Sequence, residues 1–227
     1  MSYKYNPSIV TDGLVFYVDA ANENSYSGSG TDWADLSGSA TTTLTNGPAY
    51  SSNNGGYIDF DGSNDYVDVT GINVSTLSAF TVEAWVYPTS NSSDGTVFGN
   101  FGSNTSTRSF LLYWDVGDGA LGFDWLVATS AFYRTGPTVA NGSLNAWNHV
   151  VGTCSGSQIQ LYVNGSSIGT ASVSGTINNN SGFRLGATQE PGLRALNGNI
   201  AVAKVYDKVL SSAEVTQNYN ALKNRFI

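Results

Sequence analysis

Glycoside hydrolysis needs two carboxylates on one strand face, about 5–5.5 Å apart for retention or roughly 6.5–9.5 Å for inversion. The segment AFTVEAWVYP at 79–88 supplies Glu83, but Trp85 and Tyr87 occupy the next positions on its face, so the partner acid is missing. A serine-type triad would need His149, the only histidine. It lies in WNHVV between an aromatic residue and a β-branched run, the setting of a structural histidine, and no G-x-S-x-G element exposes a nucleophile. Cys154, the single cysteine, closes an apolar segment. One Cys and one His exclude an intrachain disulfide and an ordinary zinc site. The acid-rich DFDGSND holds Asp59, Asp61 and Asp65 without the spacing of an EF-hand loop. It also suits a turn, in which Asp caps backbone N–H groups and Gly62 permits positive φ. Sugar binding asks for an exposed aromatic ring; Trp85 on a concave face and Trp33, Trp114 and Trp125 at a rim are candidates, with burial the alternative for each.

These residues sit on short strands separated by Gly, Asn, Asp and Ser turns. In residues 79–88, Phe80, Val82, Ala84 and Val86 share one face suited to the space between two sheets. Thr81, Glu83, Trp85 and Tyr87 share the other, expected to be partly solvated. Further strands are predicted at 13–20, 42–45, 57–60, 65–69, TVFGNF, RSFLLYW, ALGFDWLVA and, more weakly, near FYRTGPTVA. Residues 147–173 read as a three-stranded meander whose Asn164-Gly165 marks a type I′ hairpin. FRLGAT at 183–188 and a Pro/Gly loop lead to LNGNIAVAKVYDKVL, where Ile200, Val202, Lys204 and Tyr206 alternate with Ala201, Ala203 and Val205; this strand should sit centrally. Ser211 and Glu214 form a capping box for a helix over 211–224, with Val215, Tyr219, Leu222 and Phe226 as its apolar stripe. The expected fold is an all-β, two-sheet antiparallel jelly-roll sandwich closed by one C-terminal amphipathic helix. Residues 1–227 form one domain with an N-terminal arm at 1–10.

Composition agrees and narrows the function. Of 227 residues, 41% are hydrophobic, enough to fill a sandwich, and 11% are charged. Net charge is −8, and the nine basic residues are scattered, so nucleic acid and anionic membrane surfaces are poor partners. The start MSYKYNPSIV lacks a signal-peptide pattern, and no apolar run is long enough to span a bilayer, which implies a chain made soluble in the cytoplasm. Six Asn-x-Ser/Thr sequons, from Asn73 to Asn179, are expected by chance in so Asn- and Ser-rich a sequence.

In order, GLVFYVDA, FDGSNDYVDV, FTVEAWVYP, WNHVVGT, LYVNG and GNIAVAKVYDKVLSSAEVTQNYNALKNRF resemble concanavalin A-like/laminin G-like jelly-roll domains, in particular the bacterial and phage branch related to pentraxins. The terminal block is similar to versions in virion proteins of tailed bacteriophages. The resemblance implies a non-catalytic structural or adhesive module on a virion surface, a head decoration, fibre or other appendage. Its implied partners are capsid or tail proteins, further copies of the chain, and host cell-surface glycans. A free calcium-assisted lectin and a glycoside hydrolase are the alternatives. The resemblance also implies Ca2+, carrying Asp61 and Asp65 onto the family's FDG-x-x-D block with Asp59 beside them as a third candidate ligand, a choice that oxygen ligands would suit. Ala201 departs from the acidic residue usual at its position, and the acidic strand motif of the hydrolases is absent.

Overall fold

The computed structural model describes residues 7–38, 40–77, 79–102, 104–117, 121–136, 140–178, 181–189 and 194–227. Asn179, the Pro/Gly loop at 190–193, positions 137–139 and the first six residues of the N-terminal arm lie outside the described residues.

In chain order the strands are β1 (Leu14–Asp19), β2 (Thr41–Thr45), β3 (Ala49–Ser51), β4 (Tyr57–Asp61), β5 (Tyr66–Thr70), β6 (Phe80–Pro88), β7 (Gly95–Phe101) and β8 (Arg108–Asp115). They continue as β9 (Gly122–Ala128), β10 (Phe132–Arg134), β11 (Asn148–Cys154), β12 (Gln158–Val163), β13 (Ser166–Ser172), β14 (Phe183–Leu185) and β15 (Asn197–Tyr206), before helix α1 (Ser212–Phe226). The first sheet has the order β13-β12-β11-β6-β15-β4-β3, with β1 also paired to β15, and the second has the order β10-β9-β8-β7-β14-β5-β2. All the pairings are antiparallel. This is the jelly-roll sandwich with one C-terminal helix, and β15 is central as its two apolar faces require.

The core lies between the sheets. Phe80, Val82, Ala84 and Val86 of β6 meet Phe110, Leu112 and Trp114 of β8 and Phe123, Trp125 and Val127 of β9. The rings of Phe80 and Phe110 stand 5.6 Å apart and those of Phe80 and Trp125 5.9 Å apart. Each fully buried side chain of this size contributes roughly 1.5–3 kcal/mol relative to exposure.

Two local readings hold in detail. Asn164 and Gly165 adopt φ of 51° and 78°, as a type I′ turn requires. The Ser211 hydroxyl accepts from the Glu214 N–H while the Glu214 carboxylate accepts from the Ser211 N–H, so the capping box forms and starts α1. Two readings change. A bulge between Ile200 and Val202 shifts the phase of β15: Ile200, Ala203 and Val205 face the core, while Val202, Lys204 and Tyr206 face outward. The outer face of β6 is not solvated. Helix α1 lies over it, and Glu83 and Trp85 are both fully buried.

Candidate functional site

Under α1, the Lys204 ammonium donates to Glu83 Oε1 at 2.6 Å and the Asn218 amide donates to Glu83 Oε2 at 2.6 Å. Asn218 Oδ1 accepts from the Val10 N–H, and the Tyr206 hydroxyl donates to the Val10 carbonyl, so one network joins the N-terminal segment, β6, β15 and α1. His149 Nε2 lies 3.2 Å from Glu83 Oε1 but out of line for a hydrogen bond, and its ring packs against Trp85 and Tyr219. Burial would raise the Glu83 pKa, but the Lys204 charge with His149 beside it outweighs burial and holds the group well below the usual carboxylate range. An ionised, sealed carboxylate has no route to substrate. Glu83 is therefore a structural residue, as is His149.

The outer face of the second sheet is arranged differently. Side chains that alternate with the core residues of β8 and β9 point away from the sandwich: Leu111, Tyr113 and Asp115 from β8, Asp124 and Leu126 from β9. Short β10 adds Phe132 and Arg134 at the sheet edge, β7 ends in Phe101, and the segment after β14 brings Thr188 and Arg194 over the face. Of these, Phe101, Tyr113, Leu126, Phe132, Arg134, Thr188 and Arg194, together with Arg108, line a groove of about 300 Å³. That size lies at the lower end of small-ligand sites, about 300–1,000 Å³. Arg134 binds both aspartates, Nε to Asp124 Oδ2 at 2.6 Å and Nη2 to Asp115 Oδ2 at 2.7 Å. The Tyr113 hydroxyl lies between them, donating toward Asp124 and Asp115 and accepting from Arg134. Burial, and then the two carboxylates, push the Tyr113 pKa up, so the phenol stays protonated.

Asp115 and Asp124 are two carboxylates on one sheet face, the pattern that Glu83 lacks. Both are held by further hydrogen bonds. Asp124 Oδ1 accepts from the Trp125 N–H, the Thr135 hydroxyl and the Gly136 N–H, and Asp115 Oδ1 accepts from the Gly117 N–H. Neither side chain reaches the surface, being 0% and 3% exposed, whereas Arg134 above them is 35% exposed. Arg108 stacks on Phe101 and on Phe132, a residue 47% exposed. Arg194 stands 4.9 Å from the Tyr113 ring and 3.4 Å from Asp94.

The sequence-predicted aromatic sites do not belong to this surface. Trp114 and Trp125 lie in the core, where Trp125 Nε1 donates to the Thr153 carbonyl and a Cβ on Gly152 would meet the Trp125 ring at 2.6 Å. Trp33 is also fully buried. Trp85 is stacked under Tyr219 and Phe226. None offers a ring face to a sugar, because each fills space between the layers. Cys154 is a buried core thiol whose pKa burial raises.

The acidic loop makes a turn that carries the chain from β4 in the first sheet to β5 in the second. Asp61 Oδ1 accepts from the Ser63 and Asn64 N–H groups, Asp65 Oδ2 accepts from the Asp61 N–H, and Gly62 has φ of 77°. Asp65 is buried, which raises its pKa, while Asp59 is exposed on β4 and is raised by partial burial and by Asp61. Among the described residues no three His, Cys, Asp or Glu side chains converge as a metal site requires. A second cleft, of about 470 Å³, opens beside the helix C-terminus between Asn53, Tyr57, Tyr87, Trp147 and Asn199.

A family model described as the concanavalin A-like lectin/glucanases superfamily matches residues 61–216. The chain belongs to this superfamily. A search of the curated proteins found no match. Among solved structures, the lectin-like chain is similar to domain 4 of AbnA, a GH43 extracellular arabinanase from Geobacillus stearothermophilus, in complex with arabinotriose. Identity is 17%, 91% of this chain and 98% of that one are covered, and the TM-score is 0.69. It is similar to the binding domain of botulinum neurotoxin serotype D at 16% identity, covering 92% of this chain and 51% of that one, with a TM-score of 0.69. It also matches Trypanosoma rangeli sialidase at 18% identity, covering 96% of this chain and 34% of that one, with a TM-score of 0.71. At such identities the likeness is one of fold. Among the described residues no helix is long and apolar enough to cross a membrane.

Proposed function

We propose that this superfamily member is a non-catalytic adhesive module, of the kind tailed bacteriophages carry on the virion surface, and that it holds a glycan in the groove over Tyr113. One observation carries the reading: the groove is lined by guanidinium and aromatic groups, while its two carboxylates are locked beneath Arg134. A glycosidase needs one carboxyl protonated and facing the leaving group. Here Arg134 covers both, and neither side chain faces the groove opening. Phe132 offers an apolar face, with the Arg108 guanidinium beside it, as sugar recognition uses. The arabinotriose complex of the arabinanase domain supports glycan recognition on this architecture, and the toxin domain is likewise a binding domain. The virion setting is supported by the resemblance of the terminal block.

The test joins a glycan array, a reducing-sugar assay and particle purification. The expected outcome is binding without hydrolysis, loss of binding in Phe132→Ala, no effect of chelator, and co-purification with capsid or tail. Release of reducing sugar would overturn the non-catalytic reading. Absence from purified particles would overturn the virion setting.

A further inference from the structure

We infer that the sugar held in this groove is an acidic one, whose carboxylate or sulfate is received by Arg194; the inference rests on the groove being the glycan site. The chain has nine basic residues and a net charge of −8, yet three of the nine, Arg108, Arg134 and Arg194, line one groove. Nearby aspartates balance the charge but not its direction. Asp115 and Asp124 lie beneath Arg134, so that cluster turns its positive end to the opening.

Donors and acceptors are also unequal. Neutral sugar hydroxyls are best read by paired donors and acceptors, and the charged acceptors nearest this surface are already occupied by Tyr113, Arg134 and backbone N–H groups. What the groove presents is guanidinium, whose planar fork matches an oxyanion. Arg194 is the best placed. Its ion pair with Asp94, at 3.4 Å, engages little of a group with five N–H donors. Its backbone is left-handed, with φ of 53°, while its carbonyl accepts from the Thr96 N–H. A turn needing only that geometry would be served with less strain by glycine, and strained non-glycine residues concentrate at binding sites. Phe132 supplies an exposed ring for the C–H face of the same sugar.

The experiment is titration calorimetry on the full chain at 150 mM salt, where a Debye length of about 8 Å screens the overall negative charge from a distant ligand. Three probes share one linkage and length: a neutral hexose pentasaccharide, its hexuronic acid counterpart, and its sulfated counterpart. At least one acidic probe should bind tenfold or more tightly than the neutral one, and which of the two does so identifies the oxyanion. Arg194→Ala should bring that probe within twofold of the neutral one at unchanged Tm. Arg194→Gly, native to the left-handed backbone, should do the same if the alanine variant folds poorly. Equal binding of all three probes, or an acidic preference surviving both variants, overturns the inference. Phe132→Ala separates the two levels. If it abolishes binding of a neutral probe that the wild type binds as well as the acidic ones, the groove stands and the acidic preference falls. If it leaves all binding intact, or if no probe binds the wild type, the groove reading falls too.

Discussion

The two outer faces of the sandwich each bury carboxylates against a cation, yet only one of them is open to solvent. On the first sheet, Glu83 and Lys204 are both fully buried, and α1 with Asn218 closes over them. On the second, Arg134 covers Asp115 and Asp124 but is itself about one-third exposed, and no helix overlies it among the described residues. The same chemistry serves two ends. Covered by a helix, the ion pair fixes where the N-terminal segment and α1 dock; uncovered, it leaves a guanidinium partly open to solvent above its carboxylates. A charged pair on a strand thus takes its role from the layer above it.

The sharpest way to break this comparison is to remove one partner of the covered pair. Lys204→Met leaves Glu83 charged and dry, and should cost about 3–5 kcal/mol in denaturant unfolding. Combining it with Glu83→Gln, which keeps an acceptor for Asn218, should restore most of that loss. A double variant as unstable as the single would mean that the pair is not what Lys204 contributes.

Acid sharpens the same point. The folded-state pKa of Glu83 is pulled down to about 2 from an ordinary 4.5, so its contribution is complete above 4.5 and is lost as pH falls from there to about 2. Asp59 and Asp65 are raised, so their protonation favours the folded state on acidification, the opposite sign. Wild-type Tm should fall through that window more steeply than the Tm of the Glu83→Gln, Lys204→Met double variant. Parallel profiles would remove Glu83 from the account.

On the open face, Arg134→Ala leaves two carboxylates without their cation, but solvent reaches the site, and the expected cost is smaller, about 1–3 kcal/mol in the same unfolding assay. A loss as large as that of Lys204→Met would mean the two faces do not differ. The smallest effect belongs to Arg194→Ala, whose stability should stay within about 0.5 kcal/mol of wild type. A larger loss by thermal unfolding would make Arg194 a structural residue.

Much of the framework was legible in the sequence. Alternation in AFTVEAWVYP, the Asn164-Gly165 turn and the Ser211/Glu214 box each depend on neighbours within a few residues, and each forms. What was not legible depends on layers and register. The burial of Glu83 and Trp85 follows from where α1 lands, and Asn218, the polar residue that meets Glu83, falls outside the apolar stripe. The bulge after Ile200 reverses the facing of Val202 and its neighbours without any mark in the local pattern. The groove draws on β7, β8, β9, β10 and the segment after β14. Asp115 and Asp124 could have been noticed as acids in phase with Tyr113 on adjoining strands, but only the pairing of Tyr113 with Asp124 shows that they share Arg134. The tryptophans misled because a large amphipathic ring fits a rim or a core equally well by type, and here all four candidates are buried.

The central claim is that ligand is held by the open face of the second sheet. Amide chemical-shift mapping, with the oligosaccharide that binds best in titration, tests it most directly. The account predicts that the shifted resonances cluster at Phe101, Arg108, Tyr113, Phe132, Arg134 and Arg194, with Glu83 and Lys204 unmoved. Shifts confined to Asn53, Tyr57, Trp147 and Asn199, in the cleft beside the helix C-terminus, would contradict it.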